Sequence, residues 1–206
     1  MAEPLGKLGK PDISNYRDKR KIYLVPLIFQ GSNSPEEYTE KFDLYWRQVD
    51  DHINNLEIRI GKADHVYHEA IAFEDDDALN ILEKYSPKTH EITLDRCRRG
   101  ATLESTEDKI LCDESADWER CLMMGLISEK AAKMISELYV DVSRKRYEHI
   151  NSRIDQTLKD GEAGILFIRE GHMVQFPQDI EVFSIAPPVL DDIHRWYREQ
   201  RTSATA

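Results

Sequence analysis

The chain reads as an α/β fold: a small, mostly parallel sheet of about four strands, long flanking helices and a helical insertion. Three observations carry that expectation. Four short apolar runs of strand character lie near residues 21–30, 63–73, 163–168 and 179–185. The first two are separated by a long stretch with helical spacing, the strand–helix–strand order that implies parallel pairing and a right-handed crossover. Most of the stretch between the second and third runs is of helical type, at a length of 206 residues that suits one full-sized core.

Residues 1–20 are rich in Gly, Pro and Lys and have no apolar period, so a flexible N-terminal arm is expected there, ahead of a single domain over 21–200. KIYLVPLIFQ (21–30) is almost continuously apolar, as a strand buried on both faces should be. Pro26 within it cannot donate to a ladder, which predicts a bulge or an edge position. Ser34-Pro-Glu-Glu has the spacing of a capping box, so a helix is expected from Ser34. Tyr38, Phe42, Tyr45, Val49, Ile53, Leu56 and Ile60 then recur every three or four residues, and Gly61 ends the stripe. This aromatic stripe reads as a helix packed on a sheet rather than as a ligand box.

ADHVYHEAIAF (63–73) is the second strand. The insertion, about 77–125, reads as short helices over 78–85 and 89–99 and a third from Ser115, while the class of residues 100–115 stays open. Ser128 starts a long helix with Ala131, Ile135, Leu138, Val142, Ile150, Ile154 and Leu158 along one side, stopped at Gly161. AGILFI (163–168) and DIEVFSI (179–185) are the remaining strands, Pro187 and Pro188 end the last, and 189–200 is an amphipathic helix. Residues 201–206 read as a disordered tail.

Charge and composition narrow the function classes. The formal net charge is −11. The basic clusters at 17–21, 96–99 and 144–146 are short and neighboured by acids, so a nucleic-acid-binding face is not expected. No apolar run approaches a membrane span, and the N-terminus carries no apolar segment of a secretory signal, so a soluble, cytoplasmic protein is expected. Cys97, Cys112 and Cys121 have no zinc-ribbon spacing and read as ordinary packing or surface thiols of a reducing compartment. There is no P-loop, GxGxxG or GxSxG motif.

In open α/β sheets ligands bind beyond the carboxyl ends of the strands. That rule selects Gln30-Gly31-Ser32, Glu69, Glu170-Gly171-His172 and the end of DIEVFSI. In His65-Val-Tyr-His-Glu69 the strand period of two puts His65 and Glu69 on one face and His68 on the other, so the segment is no self-contained zinc motif. His172, after a Gly that permits a sharp turn, suits a base, an acid or a metal ligand, and equally a turn histidine without a role. Arg144, Lys145 and Arg146 form a solvated face, unless one of them reaches the strand ends to hold a carboxylate or an anionic substrate.

At these residues the chain resembles the TraB/PrgY and TIKI-type superfamily, in which a strand ends in Glu, a later helix carries Arg, and an apolar strand closes on Gly-His. Residues 63–70 look like the Glu strand, Arg146 in RKRYEHI like the helix arginine, and ILFIREGH (165–172) like the closing strand. The first strand departs from the pattern: it lacks the family's GxxH histidine, and Gln30 or Ser32 is the nearest polar group. The resemblance implies a divergent hydrolase-type domain. Glu69, His172 and Arg146 would be its catalytic residues, and Glu69 with His172 would hold a divalent metal or act as an acid–base pair, with Arg146 on an anionic group. The alternative is a non-catalytic assembly module that meets a protein partner or its own copy through exposed aromatics such as Tyr147, Trp196 and Tyr197.

Overall fold

The computed structural model describes residue 16 and residues 18–72 and 76–203. In chain order the elements are β1 (Arg20–Leu27), α1 (Glu36–Ile60), β2 (His65–His68), α2 (Asp76–Tyr85), α3 (Pro87–Arg98), β3 (Thr102–Leu103), α4 (Lys109–Met123), α5 (Glu129–Thr157), β4 (Ala163–Arg169), β5 (Ile180–Ser184) and α6 (Pro188–Ser203). The five strands form one sheet in the order β3-β2-β4-β1-β5, and every pairing is parallel. The fold class read from the sequence is the one observed.

The period-two alternation of the strands sorts side chains to two covered faces. Tyr23, Val25, Val66, Ile165 and Phe167 meet the stripe of α1, together with Ile92 of α3 and Ile193 of α6. Ile22, Tyr67, Leu166 and Ile168 meet Ile150, Ile154 and Leu158 at the end of α5, along with Val174 from the segment that joins β4 to β5. Both faces are closed, which is why the central strands read as unbroken apolar runs. Each such side chain that is fully buried stabilises the fold by about 1.5–3 kcal/mol.

Pro26 lies neither on an edge strand nor at a bulge. β1 is central, and Pro26 stays in register opposite Ile168. The Leu24 carbonyl accepts from Ile185, so Leu24 and, two residues on, Pro26 turn their backbone toward β5. β5 ends at Ser184, opposite Leu24. The missing donor of Pro26 therefore falls where β1 has locally become an edge.

Other boundaries also shift. Arg20, expected in the arm, is a buried first residue of β1 with its guanidinium on Asp155 and Asp179. The rest of the expected arm, 1–15 and 17, lies outside the described residues. The capping box at Ser34 does not form; α1 starts at Glu36 without a side-chain cap. The open segment 100–115 holds a fifth strand, β3, and the start of α4, whose Asp108 caps the Leu111 amide at 3.0 Å. The helix expected from Ser115 thus begins two turns earlier. Ser128 does cap α5, accepting from the Ala131 amide at 3.4 Å. Residues 201–203, expected in the tail, are helical, and 204–206 are outside the described residues. No described helix is long and apolar enough to cross a membrane.

Gly164 shows how tightly the middle of the sheet is packed. A Cβ there would stand 2.6 Å from a ring carbon of Tyr67, whose hydroxyl sits 2.7 Å from Thr157. Only a residue without a side chain lets the tyrosine lie across β4.

Candidate functional site

The connection leaving β2 leads to α3, on the α1 face, whereas the connection leaving β4 crosses on the α5 face. The two strands are neighbours, so their carboxyl ends border the crevice where connections part to opposite sides. That is where open α/β sheets take ligands. Glu69 follows β2 directly and Arg169 closes β4.

The Glu69 carboxylate is almost fully buried and accepts from Arg169 twice over: from its backbone amide at 3.0 Å, and from its Nε at 3.2 Å to both oxygens. The Glu69 amide donates to the Phe167 carbonyl at 3.0 Å, so the strand ladder itself sets the carboxylate in place. Burial opposes the charge of Arg169, Glu69 outweighs it, and the pKa of Arg169 is raised. Only Nε is spent on Glu69. The two terminal nitrogens of Arg169 have no partner among the described residues, and the side chain is 38% exposed.

Arg146 reaches the same place from α5. Its guanidinium holds Glu107 through Nη2 and through Nε at 3.3 Å, and donates to Ser115 at 3.3 Å. The Glu107 side chain is completely buried; burial raises its pKa and Arg146 works against that rise. Burial likewise works against the charge on Arg146, but Glu107 more than offsets it and the pKa of Arg146 is raised. The neighbouring Cys112 thiol is pushed up to about 12, first by burial and then by Glu107, which makes it an inert thiol near neutral pH. Arg144 and Lys145 stay on the solvent side, paired with Asp141.

Glu69, Arg146 and Arg169 line one cleft of about 300 Å³, with Tyr85, Lys109 and Ser115 among its other walls. Two of the three residues selected from the sequence thus meet. His172 does not line the cleft. Burial lowers its pKa, and the Glu69 charge works against that. Its Nδ1 accepts from the Val174 amide at 3.3 Å, which places the proton of the neutral ring on Nε2.

The expected pairing of Glu69 and His172 as metal ligands does not fit the donors present. The Glu69 oxygens face a guanidinium, two arginines border the same cleft, and no three His, Cys, Asp or Glu among the described residues converge. The formal charges of the lining balance, Glu69, Asp113 and Glu119 against Lys109, Arg146 and Arg169, and the Glu69 oxygens are already taken up by Arg169. Gln30, at the end of the first strand, is turned to Thr39 at 2.7 Å.

The other histidines of β2 are structural. His68 is fully buried, its Nδ1 accepting from the Ala70 amide at 3.0 Å and its Nε2 3.2 Å from Thr89; burial lowers its pKa to about 3. His65, at the opposite end of the strand, lies between Glu104 at 2.8 Å and Glu162 at 3.1 Å.

Sequence reasoning missed Arg169, Glu107 and Ser115. Arg169 was readable from the strand-end rule that selected Glu69, because it closes ILFIR. Glu107 and Ser115 carry no such signal, since each meets Arg146 from the segment whose class stayed open. No family model, curated protein or solved structure matches this chain.

Proposed function

We propose that the cleft beyond β2 and β4 binds a small molecule through a carboxylate or phosphate group, and that Arg169 is the residue that grips it. The observation that carries this reading is the orientation of Arg169. Glu69 fixes it through Nε, and the two terminal nitrogens remain for a planar, two-oxygen anion, the geometry in which arginine binds best. Arg146 and Lys109 add positive charge to the cleft walls, opposed by Asp113 and Glu119. This reading keeps only the anion-holding role from the hydrolase-type expectation and asks for no metal-activated water.

The test is calorimetric titration with inorganic phosphate and with small dicarboxylates, on the wild type and on Arg169→Met and Glu69→Gln. Binding that weakens about tenfold or more in both variants is expected, since each loses a charged, hydrogen-bonded contact or its orientation. Unchanged binding in both, or none in the wild type, removes the reading. Thermal stabilisation by Zn²⁺ or Mn²⁺ that Glu69→Gln abolishes would restore the metal instead.

A second reading, an assembly module, rests on a different region. Residues 129–141 of α5 bury no side chain, and Met134, Leu138 and Val140 stand exposed there beside Met123, Met124 and Ile127 of the α4–α5 turn. Exposed apolar clusters of this kind mark interaction surfaces. A self-association that light scattering detects and Leu138→Asp abolishes supports it; a monomer at every concentration counts against it.

A further inference from the structure

β5 is a terminal strand of the sheet. β5 pairs with β1 and with no other strand among the described residues. In a parallel ladder each residue turns both backbone groups to the same side, and the sides alternate. The Ile185 amide donates to Leu24, so Phe183 and Glu181 also face β1. Val182 and Ser184 turn their amides and carbonyls outward, where no described residue meets them. Ile180, with the same parity, is already occupied: its amide donates to the Pro177 carbonyl at 3.1 Å. The start of the edge is blunted by the Glu181–Lys19 ion pair. Beyond it the edge is open, and Val182 is 40% exposed.

Alongside this edge runs a groove of about 550 Å³, walled by α1 on one side and β5 on the other. His52, Leu56 and Arg59 follow one another along α1 at spacings of four and three, hence on one face of the helix, and they look across at Val182, Phe183 and Ser184. No Asp or Glu lines the groove, in a chain whose net charge is −11. Arg59 forms no ion pair with any described residue. An unpaired guanidinium and an imidazole thus flank two residues' worth of unused backbone hydrogen-bonding groups.

We propose that this groove takes an extended, acidic peptide segment, which adds to β5 as a sixth strand. Backbone bonds to Val182 and Ser184 supply the register. Alternate side chains of the peptide then face α1, where carboxylates meet Arg59 and His52 and the methylenes of an intervening Glu lie on Leu56. Strand addition of this kind draws affinity from the ladder and specificity from every second side chain. The proposal is independent of the anion site beyond β2 and β4, because it involves the opposite flank of the sheet and none of the same residues.

The probe is a fluorescein-labelled eight-residue peptide of alternating Glu and Val, followed by anisotropy against the full-length protein. Two control peptides go with it, one with Lys in place of Glu and one with Pro at alternate positions, which cannot donate to a ladder. The Glu peptide is expected to bind, and both controls to bind at least about tenfold more weakly. Val182→Pro removes an outward donor without touching the bonds to β1, and is expected to abolish binding. Arg59→Glu, at an exposed position with no role in the core, should weaken it about tenfold and reduce its salt dependence. Thermal melts of both variants establish that they are folded. Three outcomes would overturn the proposal: no binding of the Glu peptide, equal binding of the Lys peptide, or binding that neither variant alters. A fourth is self-association without peptide that Val182→Pro abolishes, because the edge then takes a second copy of the chain.

Discussion

Strand β2 carries a partly buried charge cluster at each end, and the two are built differently. At the amino end, His65 is hydrogen-bonded through both ring nitrogens, to Glu104 and to Glu162. A neutral imidazole has one donor and one acceptor, so serving two carboxylates requires the doubly protonated ring. Every polar atom of that ring is used. At the carboxyl end, Glu69 takes only one edge of Arg169 and leaves the terminal nitrogens facing a cleft. A saturated cluster holds elements together; an unsaturated one beside a cavity can hold something else. By that criterion the amino end is a fastening and the carboxyl end a site.

Breaking the carboxyl-end cluster at its deepest pair should have the largest effect. Arg146→Met leaves Glu107 buried without its partner and is expected to cost about 3–5 kcal/mol, read by denaturant unfolding. The double variant Arg146→Met/Glu107→Leu should recover most of that loss, because the penalty comes from the stranded charge. If it recovers none, packing rather than charge holds α5 to the segment before α4.

Between the two ends, Gly164→Ala sets a methyl against the Tyr67 ring and is expected to cost about 1–3 kcal/mol. The ring is the bridge between the ends, since His65 stacks against it at 6.0 Å between ring centroids. A smaller loss than this in the melting curve would mean that Tyr67 moves aside freely.

A third, smaller effect distinguishes the ends by pH. Hydrogen bonding to Glu104 raises the His65 pKa in the fold. Its contribution is fully present below the unfolded histidine value of about 6.5 and is lost as pH rises through the raised folded pKa. His65→Gln should therefore cost roughly 1 kcal/mol at pH 5.5 and close to nothing at pH 9. His68 runs the opposite way: lowered to about 3 by burial, it contributes stability above about 6.5 that is lost as pH falls toward 3. An NMR titration should find His65 protonated and His68 neutral at pH 6.5, and the reverse order would undo the contrast. Smallest of all, Arg144→Ala should leave the melting temperature where it is, because its ion pairs are fully solvated.

How much of this was legible beforehand follows from what each signal reports. Apolar period located β1, α1, β4, β5 and α6, because those elements bury a regular face. Strand-end position pointed to Glu69, and the cluster at 144–146 offered one arginine that could reach the strand ends. Sequence reasoning failed where a residue's environment is tertiary. Nothing local says that Pro26 lies where its neighbour strand has ended, or that Ser115 serves Arg146 rather than capping a helix. β3 is two residues long and leaves no period to detect. The stripe on α5 misled in another way: Ala131, Ile135 and Leu138 continue the apolar pattern, but the sheet is already behind them and only α4 accompanies them.

The place of β1 in the sheet also sets a constraint on how the chain is made. Its neighbour β4 pairs Lys21 with Ala163, so this apolar strand waits for a partner 142 residues downstream. At synthesis rates of about 5–20 residues per second, that interval is on the order of ten seconds. Through it, RKIYLVPL is an unpaired strand-former, and Pro26 is the one residue inside it that interrupts a continuous ladder with another chain. A proline that the finished sheet merely tolerates thus protects the nascent chain before the sheet exists.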